Sequence, residues 1–505
     1  MIRMAKTENG TLRGLPSSDA RITVYKGIPF AAPPVGKNRW KAPQRCEDWD
    51  GIRDAYTYGP ISMQDTPGLG TDVYCREWHV DSDIPMSEDC LYLNVWTPAK
   101  TPDEKLPVFI WIYGGAFQWG YTAEMEFEAD RLCRRGMIVV SMGYRLGAFG
   151  FLAHPELTAE SPKTPTNFGL LDQQAAIKWV RRNISAFGGD PDRITLGGQS
   201  AGGASVISQI ACEDNYEDVK GAAIISGIIR PAYFVDEFFT PGDLSKDEML
   251  GQEFIEFLGV QNIAEARELD AIYIRDKYAE FAMDHMRMSP CIDGHFLKDE
   301  PYKCLVNNEC ANIPLFVGNT TDEFIMTISA KNEDELAIKA KELFGDKAKE
   351  FLDFEESKIY VDGGFAPVGS LESNIKAAIE LKHEKGYDRD CYYYKFASDI
   401  PGEDNPGTFH SVDLWFFFET LMKSPRPFVG RHYDLARNMC NYLANFIKTG
   451  NPNGVDADGT TMPEWKPYTK DNKNEMVFES EGPRACVDSN KRTEFYIENV
   501  KRGLQ

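Results

Sequence analysis

The chain has 505 residues, of which 42% are hydrophobic, 26% charged and 12% aromatic, as in a globular protein with a sizeable core. Its 78 acidic residues outnumber its lysines and arginines by 23, and so acidic a surface repels nucleic-acid backbones and anionic lipid. We therefore expect neither nucleic acid nor a membrane as a partner.

The first residues and the cysteines indicate a compartment. The opening segment MIRMAKTENG lacks the apolar run of a secretory signal, and the longest apolar runs have the length of a strand, not of a membrane span. The 11 cysteines are odd in number and scattered, with no Cys-x-x-Cys pair and no Cys/His cluster. We expect reduced thiols in a cytoplasmic protein, without a disulfide frame or a metal site.

Strand and helix patterns alternate along the first half of the chain. After short strand and turn signals come three apolar runs typical of strands buried on both faces: LYLNVWTP, PVFIWIYGG and MIVVSMGYR. Helical periodicity marks EFEADRLCRRG and LLDQQAAIKWVRRNISAFGG, and the strand RITLGG follows. This alternation predicts an α/β fold, with a large and mostly parallel central sheet and helices on both faces.

The second half continues the pattern after a helical excursion. Residues 234–293 are helical in character and richly charged, which suits a cap. Strand signals return in IPLFVGN and CYYYKFA, and HYDLARNMCNYLANFIKTGNPNG predicts a closing amphipathic helix with a glycine stop. No repeat or low-complexity linker divides the chain, so we expect one domain over residues 1–505.

Residues 193–210, RITLGGQSAGGASVISQI, carry a Gly-x-Ser-x-Gly pattern centred on Ser200. A β-branched run precedes it and an Ala- and Gly-led helix follows, which is the strand–turn–helix setting that a nucleophilic serine requires. Gly198 and Gly202 leave room for strand and helix to close together, and Ala201 opens the helix with a free N–H. The pattern predicts Ser200 as a nucleophile; the alternative is a glycine-rich turn without chemistry.

A second small-residue loop follows the strand PVFIWI. The tetrahedral intermediate of acyl transfer needs backbone donors aimed at its oxygen. The loop Tyr113–Phe117, YGGAF, can present its amides to a ligand without obstruction by side chains. We expect the N–H groups of Gly115 and Ala116 to act with that of Ala201; the alternative is an ordinary Gly-Gly turn.

Hydrolases built on this turn follow the chain order serine, acid, histidine. The segment IPLFVGNTTDEF places Asp322 and Glu323 after a strand, and the residues alone do not choose between them. Of the later histidines, His383 lies at a charged helix end and His432 at the head of the long helix. His410, in DNPGTFHSVDLWFFFE, lies on a Pro/Gly loop and is the predicted general base, with a structural histidine as the alternative.

Segments along nearly the whole chain together resemble the type-B carboxylesterases, the group that contains bacterial para-nitrobenzyl esterases and is related to the cholinesterases. In chain order they are YKGIPFAAPPVGKNRWKAP, SEDCLYLNVWTP, WIYGGAFQWG, GYRLGAFGFL, NFGLLDQQAAIKWVRRNISAFGGDPDRITLGGQSAGG, CIDGHFL, TTDEF, FHSVDLWFFFETL and NYLANFIKTGNPNG. The resemblance implies an α/β-hydrolase fold and a serine carboxylesterase that forms an acyl-enzyme, needs no cofactor and holds no catalytic metal.

Carried over residue by residue, the resemblance places the triad on Ser200, His410 and Glu323, and so selects Glu323 over Asp322. It places a serine near the triad, in a supporting position, on Ser226. The family's oxyanion donors fall on Gly115, Ala116 and Ala201.

Three departures from the family affect these expectations. Many relatives have glutamate where this chain has Gln199, so the pocket loses a negative charge and a cationic choline-type substrate becomes less favourable. Position 116 is alanine where cholinesterases have glycine, but its N–H remains. Cys90 matches a cysteine that forms a disulfide in secreted relatives, but this chain has no cysteine at the position of its upstream partner. Cys75 lies nearby without matching that position, so the missing match favours reduced thiols.

Aromatic residues near the proposed site suggest an apolar pocket for acyl or aryl groups. Phe117, Gln199, Trp119 and the run Trp415–Phe418 are candidates to line it, although most aromatic runs are simply core. We expect small to medium apolar or aryl esters as substrates, and a monomer or homodimer. The alternatives are an acyl hydrolase of thioesters, lactones or amides, and a non-catalytic binding protein of the same fold.

Overall fold

A sheet of 11 strands forms the centre of the molecule in the computed structural model, which describes residues 1–228, 242–323, 325–355, 357, 365–456 and 459–504. Three smaller sheets, of three, two and two strands, bring the strands in these residues to 18. The strands are β1 (Met4–Lys6), β2 (Thr11–Arg13), β3 (Leu15–Pro16), β4 (Thr23–Pro29), β5 (Ile52–Asp54), β6 (Tyr92–Thr97), β7 (Leu106–Ile112), β8 (Ile138–Met142), β9 (Gly189–Gln199), β10 (Gly221–Ile225), β11 (Gly242–Asp243), β12 (Cys291–Ile292), β13 (Leu315–Thr320), β14 (Ile325–Ser329), β15 (Phe365–Ser370), β16 (Cys391–Phe396), β17 (Asn474–Glu479) and β18 (Gly482–Val487).

The α-helices surround this sheet and supply the connections between its strands. They are α1 (Val73–Glu77), α2 (Asp130–Cys133), α3 (Gly147–Phe151), α4 (Pro155–Glu160), α5 (Phe168–Asn183), α6 (Ala201–Ala211), α7 (Leu244–Phe257), α8 (Ile263–Arg267), α9 (Ala271–Phe281), α10 (Pro301–Val306), α11 (Glu333–Phe344), α12 (Ala348–Leu352), α13 (Leu371–Glu384), α14 (Leu414–Phe417), α15 (Gly430–Thr449) and α16 (Lys491–Arg502).

The strand order is β18-β17-β16-β13-β10-β9-β7-β8-β6-β4-β3. All pairs from β17 to β8 are parallel, and antiparallel pairs complete both edges. The central strands β8, β10 and β13 are buried along their whole length, because helices cover both faces and most of their residues are apolar. The predicted mostly parallel α/β sheet is confirmed.

Two sequence-based expectations about elements need correction or restriction. Helix α15 is not the last element, because the hairpin β17–β18 extends the sheet edge and α16 follows it. Strand β18 lies at the edge and is partly exposed, so it lacks a long apolar run. The predicted excursion over 234–293 contains α7, α8 and α9, and its positions 234–241 lie outside the described residues.

Among the described residues, no helix has both the length and the apolar composition needed to cross a membrane.

Candidate active site

Ser200 lies on the sharp turn between β9 and α6. Its backbone has φ 55° and ψ −125°, a conformation that residues with a side chain rarely adopt. A Cβ at Gly198 would collide with the carbonyl oxygen of Gly202, and one at Gly202 with that of Ile112. Glycines at both positions therefore let strand and helix approach closely enough to raise Ser200 above the end of the sheet.

His410 and Glu323 form a short hydrogen-bonded contact behind this turn. His410 Nδ1 lies 2.6 Å from Glu323 Oε2, and both side chains are almost fully buried. The other oxygen, Oε1, accepts hydrogen bonds from the backbone N–H and hydroxyl of Thr320 at 3.3 and 3.1 Å. Tyr74 donates its hydroxyl to the backbone oxygen of His410 at 3.0 Å, which holds the histidine loop.

The neighbouring carboxylate, Asp322, contacts the same loop, but it accepts hydrogen bonds from Thr408 and not from His410. Its Oδ2 accepts hydrogen bonds from the backbone N–H of Thr408 at 2.7 Å and from its hydroxyl at 2.9 Å. Asp322 also pairs with Phe409 in a short parallel bridge. Asp322 thus joins the two loops, while Glu323 extends from one of them to His410.

The environment keeps Glu323 ionised. Burial alone would raise the pKa of its carboxyl group, but the imidazole of His410 and the hydroxyl of Ser226 outweigh burial and lower it. Ser226 follows β10, is fully buried and has a positive φ of 45°. The resemblance places Ser226 in a supporting position near the triad, and in the structure it lies beside Glu323.

Asp413 is a second buried carboxyl group near the pair, and no sequence pattern marked it. Its Oδ2 accepts the hydroxyl of Tyr394 at 2.7 Å. Burial, reinforced by the charge of Glu323, raises the pKa of Asp413 to about 7. Only its position three residues after His410 could have drawn attention to it.

The loop after β7 packs directly on Ser200. A Cβ at Gly114 would lie 2.6 Å from the backbone oxygen of Gln199 and 3.1 Å from the Cβ of Ser200, so only glycine fits there. Gly115, Ala116 and Phe117 all have positive φ, at 106°, 54° and 62°. Within the described residues the N–H groups of Gly115 and Ala116 donate to no protein acceptor, whereas those of Gln118 and Trp119, further along the loop, both donate to the carbonyl of Gly115.

The N–H of Ala201 belongs to the same group of donors. Ala201 is the first residue of α6, so its N–H has no acceptor inside the helix. Free backbone donors on two loops therefore converge beside the Ser200 side chain, and the positive end of the helix dipole points to the same place.

Two cavities meet at Ser200. The larger, of about 850 Å³, is bordered by Ser200, His410 and aromatic side chains that include Tyr74, Trp78 and Trp119. The smaller, of about 70 Å³, extends to the other side of Ser200. Its walls are mostly small or apolar: Ala116, Phe117, Ala201, Ala204, Ile207 and Gly227.

The structure brings some of the expected pocket residues to these cavities and not others. Phe117 borders the smaller cavity, and Gln199 borders the larger one. Trp415 borders neither; it is fully buried and packs against Trp78, with ring centroids 5.5 Å apart. The aromatic run predicted Trp415 as a pocket residue, but in the structure Trp78, which borders the larger cavity, packs over it.

One cluster of carboxylates outside the site has a structural explanation, and the cysteines form no disulfides among the described residues. The carboxylates of Glu372, Glu475 and Asp488 converge in a way that could hold a metal ion. The ammonium of Lys376 occupies the middle of that group, 2.6 to 2.9 Å from all three, and Lys395 lies 2.8 Å from Glu372, so two lysines already offset part of the negative charge. All 11 cysteines are free thiols, Cys75 and Cys90 included.

Comparisons with known proteins point to one family. The profile of the Carboxylesterase family matches residues 3–496. The para-nitrobenzyl esterase of Bacillus subtilis is 30% identical over 507 residues, which cover 95% of each chain. The fumonisin B1 esterase of Sphingopyxis macrogoltabida is 35% identical over 349 residues, 68% of this chain and 61% of that one. A solved PNB esterase structure superposes with a TM-score of 0.80 at 26% identity, covering 98% of this chain and 99% of that chain.

Proposed function

Since this chain belongs to the carboxylesterase family and is a serine carboxylesterase, we propose that Ser200 is its nucleophile, His410 its general base and acid, and Glu323 the carboxylate that orients His410. The observation that carries this proposal is the contact of 2.6 Å between His410 and Glu323, with Ser200 raised on its strained turn in the same cavity.

The proposed reaction has two matched halves. His410 takes the proton of Ser200 as the serine oxygen attacks the ester carbonyl, and then gives that proton to the leaving alcohol. Water repeats the sequence on the acyl-enzyme and releases the acid. The N–H groups of Gly115, Ala116 and Ala201 stabilise the negative oxygen in both halves, and the family's chemistry needs no cofactor or metal.

The two cavities support an assignment of the two parts of the ester. His410 must reach the leaving oxygen and borders the larger cavity, so the alcohol part lies there, against aromatic walls that suit aryl groups. The acyl part then enters the smaller cavity, whose volume holds roughly four or five non-hydrogen atoms. The preferred substrates are therefore short-chain acyl esters of apolar or aryl alcohols.

The test is turnover of p-nitrophenyl acetate, butyrate and octanoate by the wild type and by Ser200→Ala. Loss of the nucleophile should lower kcat on the order of 10⁶-fold. Acetate and butyrate should be cleaved well and octanoate poorly. A Ser200→Ala variant that keeps most of its turnover would contradict the proposed triad, and a preference for octanoate would contradict the assignment of the cavities.

A pair of wall variants tests that assignment separately. Ile207→Ala enlarges the smaller cavity and should raise the octanoate-to-acetate ratio of kcat/KM. Leu414→Ala enlarges the larger cavity, from which the acyl chain is excluded, and should leave the ratio as it is. Equal changes in both variants would refute the assignment.

We also propose that the chain works in the cytoplasm as a monomer or homodimer on small-molecule esters. Its free cysteines support a reducing compartment. Protein purified from cytoplasm and denatured without reductant should show 11 reactive thiols in a colorimetric thiol assay, and gel filtration with light scattering gives its oligomeric state.

A further inference from the structure

The side chain of Gln199 lies against the imidazole of His410. Gln199 ends β9 immediately before Ser200, and only 3% of it is exposed. Its Nε2 is 2.9 Å from His410 Nε2, and its Oε1 is directed at Gly114, where a Cβ would lie 2.9 Å away. Gln199 therefore contacts the ring nitrogen opposite the one that faces Glu323.

The chemistry of the three side chains assigns the direction of this contact. An ionised carboxylate only accepts hydrogen bonds, so His410 Nδ1 carries its proton and donates it to Glu323. A neutral imidazole then accepts at Nε2, and the amide nitrogen of Gln199 only donates. The N–H of Gln199 thus points at the lone pair that, in the proposed reaction, receives the proton of Ser200.

We infer that Gln199 is a positioning residue that stabilises the neutral form of His410 and competes with Ser200 for its Nε2. The inference rests on the proposed triad. A donor to the neutral form of a base favours that form, whereas a carboxylate in the same place would accept from the imidazolium and favour the charged form. The amide therefore keeps His410 able to act as a base at lower pH, and it slows proton transfer where His410 is already neutral.

The other groups that act on His410 come from separate elements. Glu323 follows β13, and Asp413 precedes α14; the charges of both carboxyl groups interact with His410. The hydroxyl of Tyr74, in α1, contacts the backbone of His410 and not its ring. A variant at position 199 changes none of these groups, so an altered pH profile reports the side chain at 199.

The experiment compares the pH dependence of kcat/KM on p-nitrophenyl acetate for the wild type, Gln199→Glu and Gln199→Met. Gln199→Glu should move the acid limb of the profile upward by about one pH unit. Gln199→Met keeps the size but loses the donor, so its acid limb should also move upward, while its plateau above pH 8 should rise about two- to tenfold. A side chain with a purely structural role would lower the plateau and leave the limb in place.

Gln64→Glu is the matched control. Gln64 borders the same cavity and is also buried, but its amide bonds to the backbone of Gly120 at 2.9 and 3.1 Å and not to His410. Its acid limb should coincide with that of the wild type. The inference is overturned if the limbs of both Gln199 variants coincide with the wild type, or if Gln64→Glu moves its limb as far as Gln199→Glu does.

A measurement without turnover separates this inference from the proposed function. In ¹⁵N NMR spectra of the wild type near pH 8, His410 should show an unprotonated, hydrogen-bond-accepting Nε2, and Gln199→Met should shift that signal. A protonated Nε2 would overturn the inference. If the wild type neither hydrolyses esters nor reacts with a serine-directed phosphonate, the proposed function fails, and the NMR signal still decides the role of Gln199.

Discussion

Several non-glycine residues of the site have backbone conformations that cost about 1–3 kcal/mol each. Ser200, Ala116, Phe117 and Ser226 all have positive φ, between 45° and 62°. The two serines are held by neighbouring strands: the N–H of Ser200 donates to the carbonyl of Ile225 at 3.0 Å, and that of Ser226 to the carbonyl of Gly318 at 2.8 Å. The surrounding packing therefore sustains local strain at the residues that present the hydroxyl and the free amides.

Asp413 makes stability depend on pH at the residue scale. Its pKa is about 7 when folded and near 4 when unfolded, so the folded state keeps a proton that the unfolded state has lost. The stability that Asp413 contributes by keeping this proton is fully present below about pH 4 and is lost as the pH rises to 7. Asp413→Asn should therefore gain stability over the wild type as pH rises, by up to about 4 kcal/mol.

Thermal unfolding at pH 5 and pH 8 checks this expectation. The melting temperature of Asp413→Asn should exceed that of the wild type by more at pH 8 than at pH 5. The exposed Asp284→Asn is the control and should follow the wild type at both values. A constant difference between Asp413→Asn and the wild type would show that Asp413 is ionised in the folded protein.

At the scale of elements, the helix α6 approaches the strands β9 and β7 so closely that side chains cannot fit between them. The positions that would carry a colliding Cβ are Gly198 and Gly202, and in each case the obstacle is backbone, which cannot move aside as a flexible side chain can. The spacing of the Gly-x-Ser-x-Gly pattern is thus a requirement of packing. The same packing places Ser200, between the two glycines, where it borders both cavities.

Gly202→Ala should destabilise the protein by about 3 kcal/mol and lower kcat, because β7 or α6 must move away from Ser200. Gly430→Ala, at the start of α15, is the matched control, because its Cβ would meet no atom within 4 Å. That substitution should be neutral or slightly stabilising. Thermal unfolding and p-nitrophenyl acetate turnover measure both effects, and equal stability of the two variants would refute the packing argument.

For the molecule as a whole, the sequence predicts the buried elements better than the exposed ones. Strands such as β7 and β8 are largely apolar on both faces and are recognisable without context. The sequence does not indicate the edge hairpin β17–β18, in which β17 is short and mostly buried and the outer strand β18 is partly exposed. The choice between Asp322 and Glu323 depends on which side chain reaches His410 across two loops, and no local pattern contains that information. The contact between Gln199 and His410 joins residues 211 positions apart, so no local pattern predicts it either.

The added edge is held to the rest of the sheet by a buried charge network. Lys376 in α13 contacts Glu475 in β17 and Asp488 after β18, and its side chain is fully buried. Burial would lower its pKa, but the surrounding carboxylates outweigh burial and raise it. The ammonium therefore neutralises charges contributed by elements far apart in sequence.

Lys376→Met should destabilise the protein by about 3–5 kcal/mol, because it leaves the buried carboxylates of Glu475 and Asp488 without their nearest counter-charge. Lys470→Met, which removes a half-exposed pair with Glu384, should change stability by less than about 1 kcal/mol. Chemical unfolding of both variants gives the comparison. Equal effects would show that the buried network adds nothing to the attachment of the edge.

The central claim is that Ser200 is an activated nucleophile, and covalent labelling tests it most directly. Wild-type protein would be treated with a serine-directed aryl phosphonate, digested, and its peptides sequenced by mass spectrometry, beside Ser200→Ala. We expect one adduct per chain, on the peptide that contains Ser200, with parallel loss of esterase activity and no adduct in the variant. Labelling at another residue, or undiminished activity after complete labelling of Ser200, would contradict the claim.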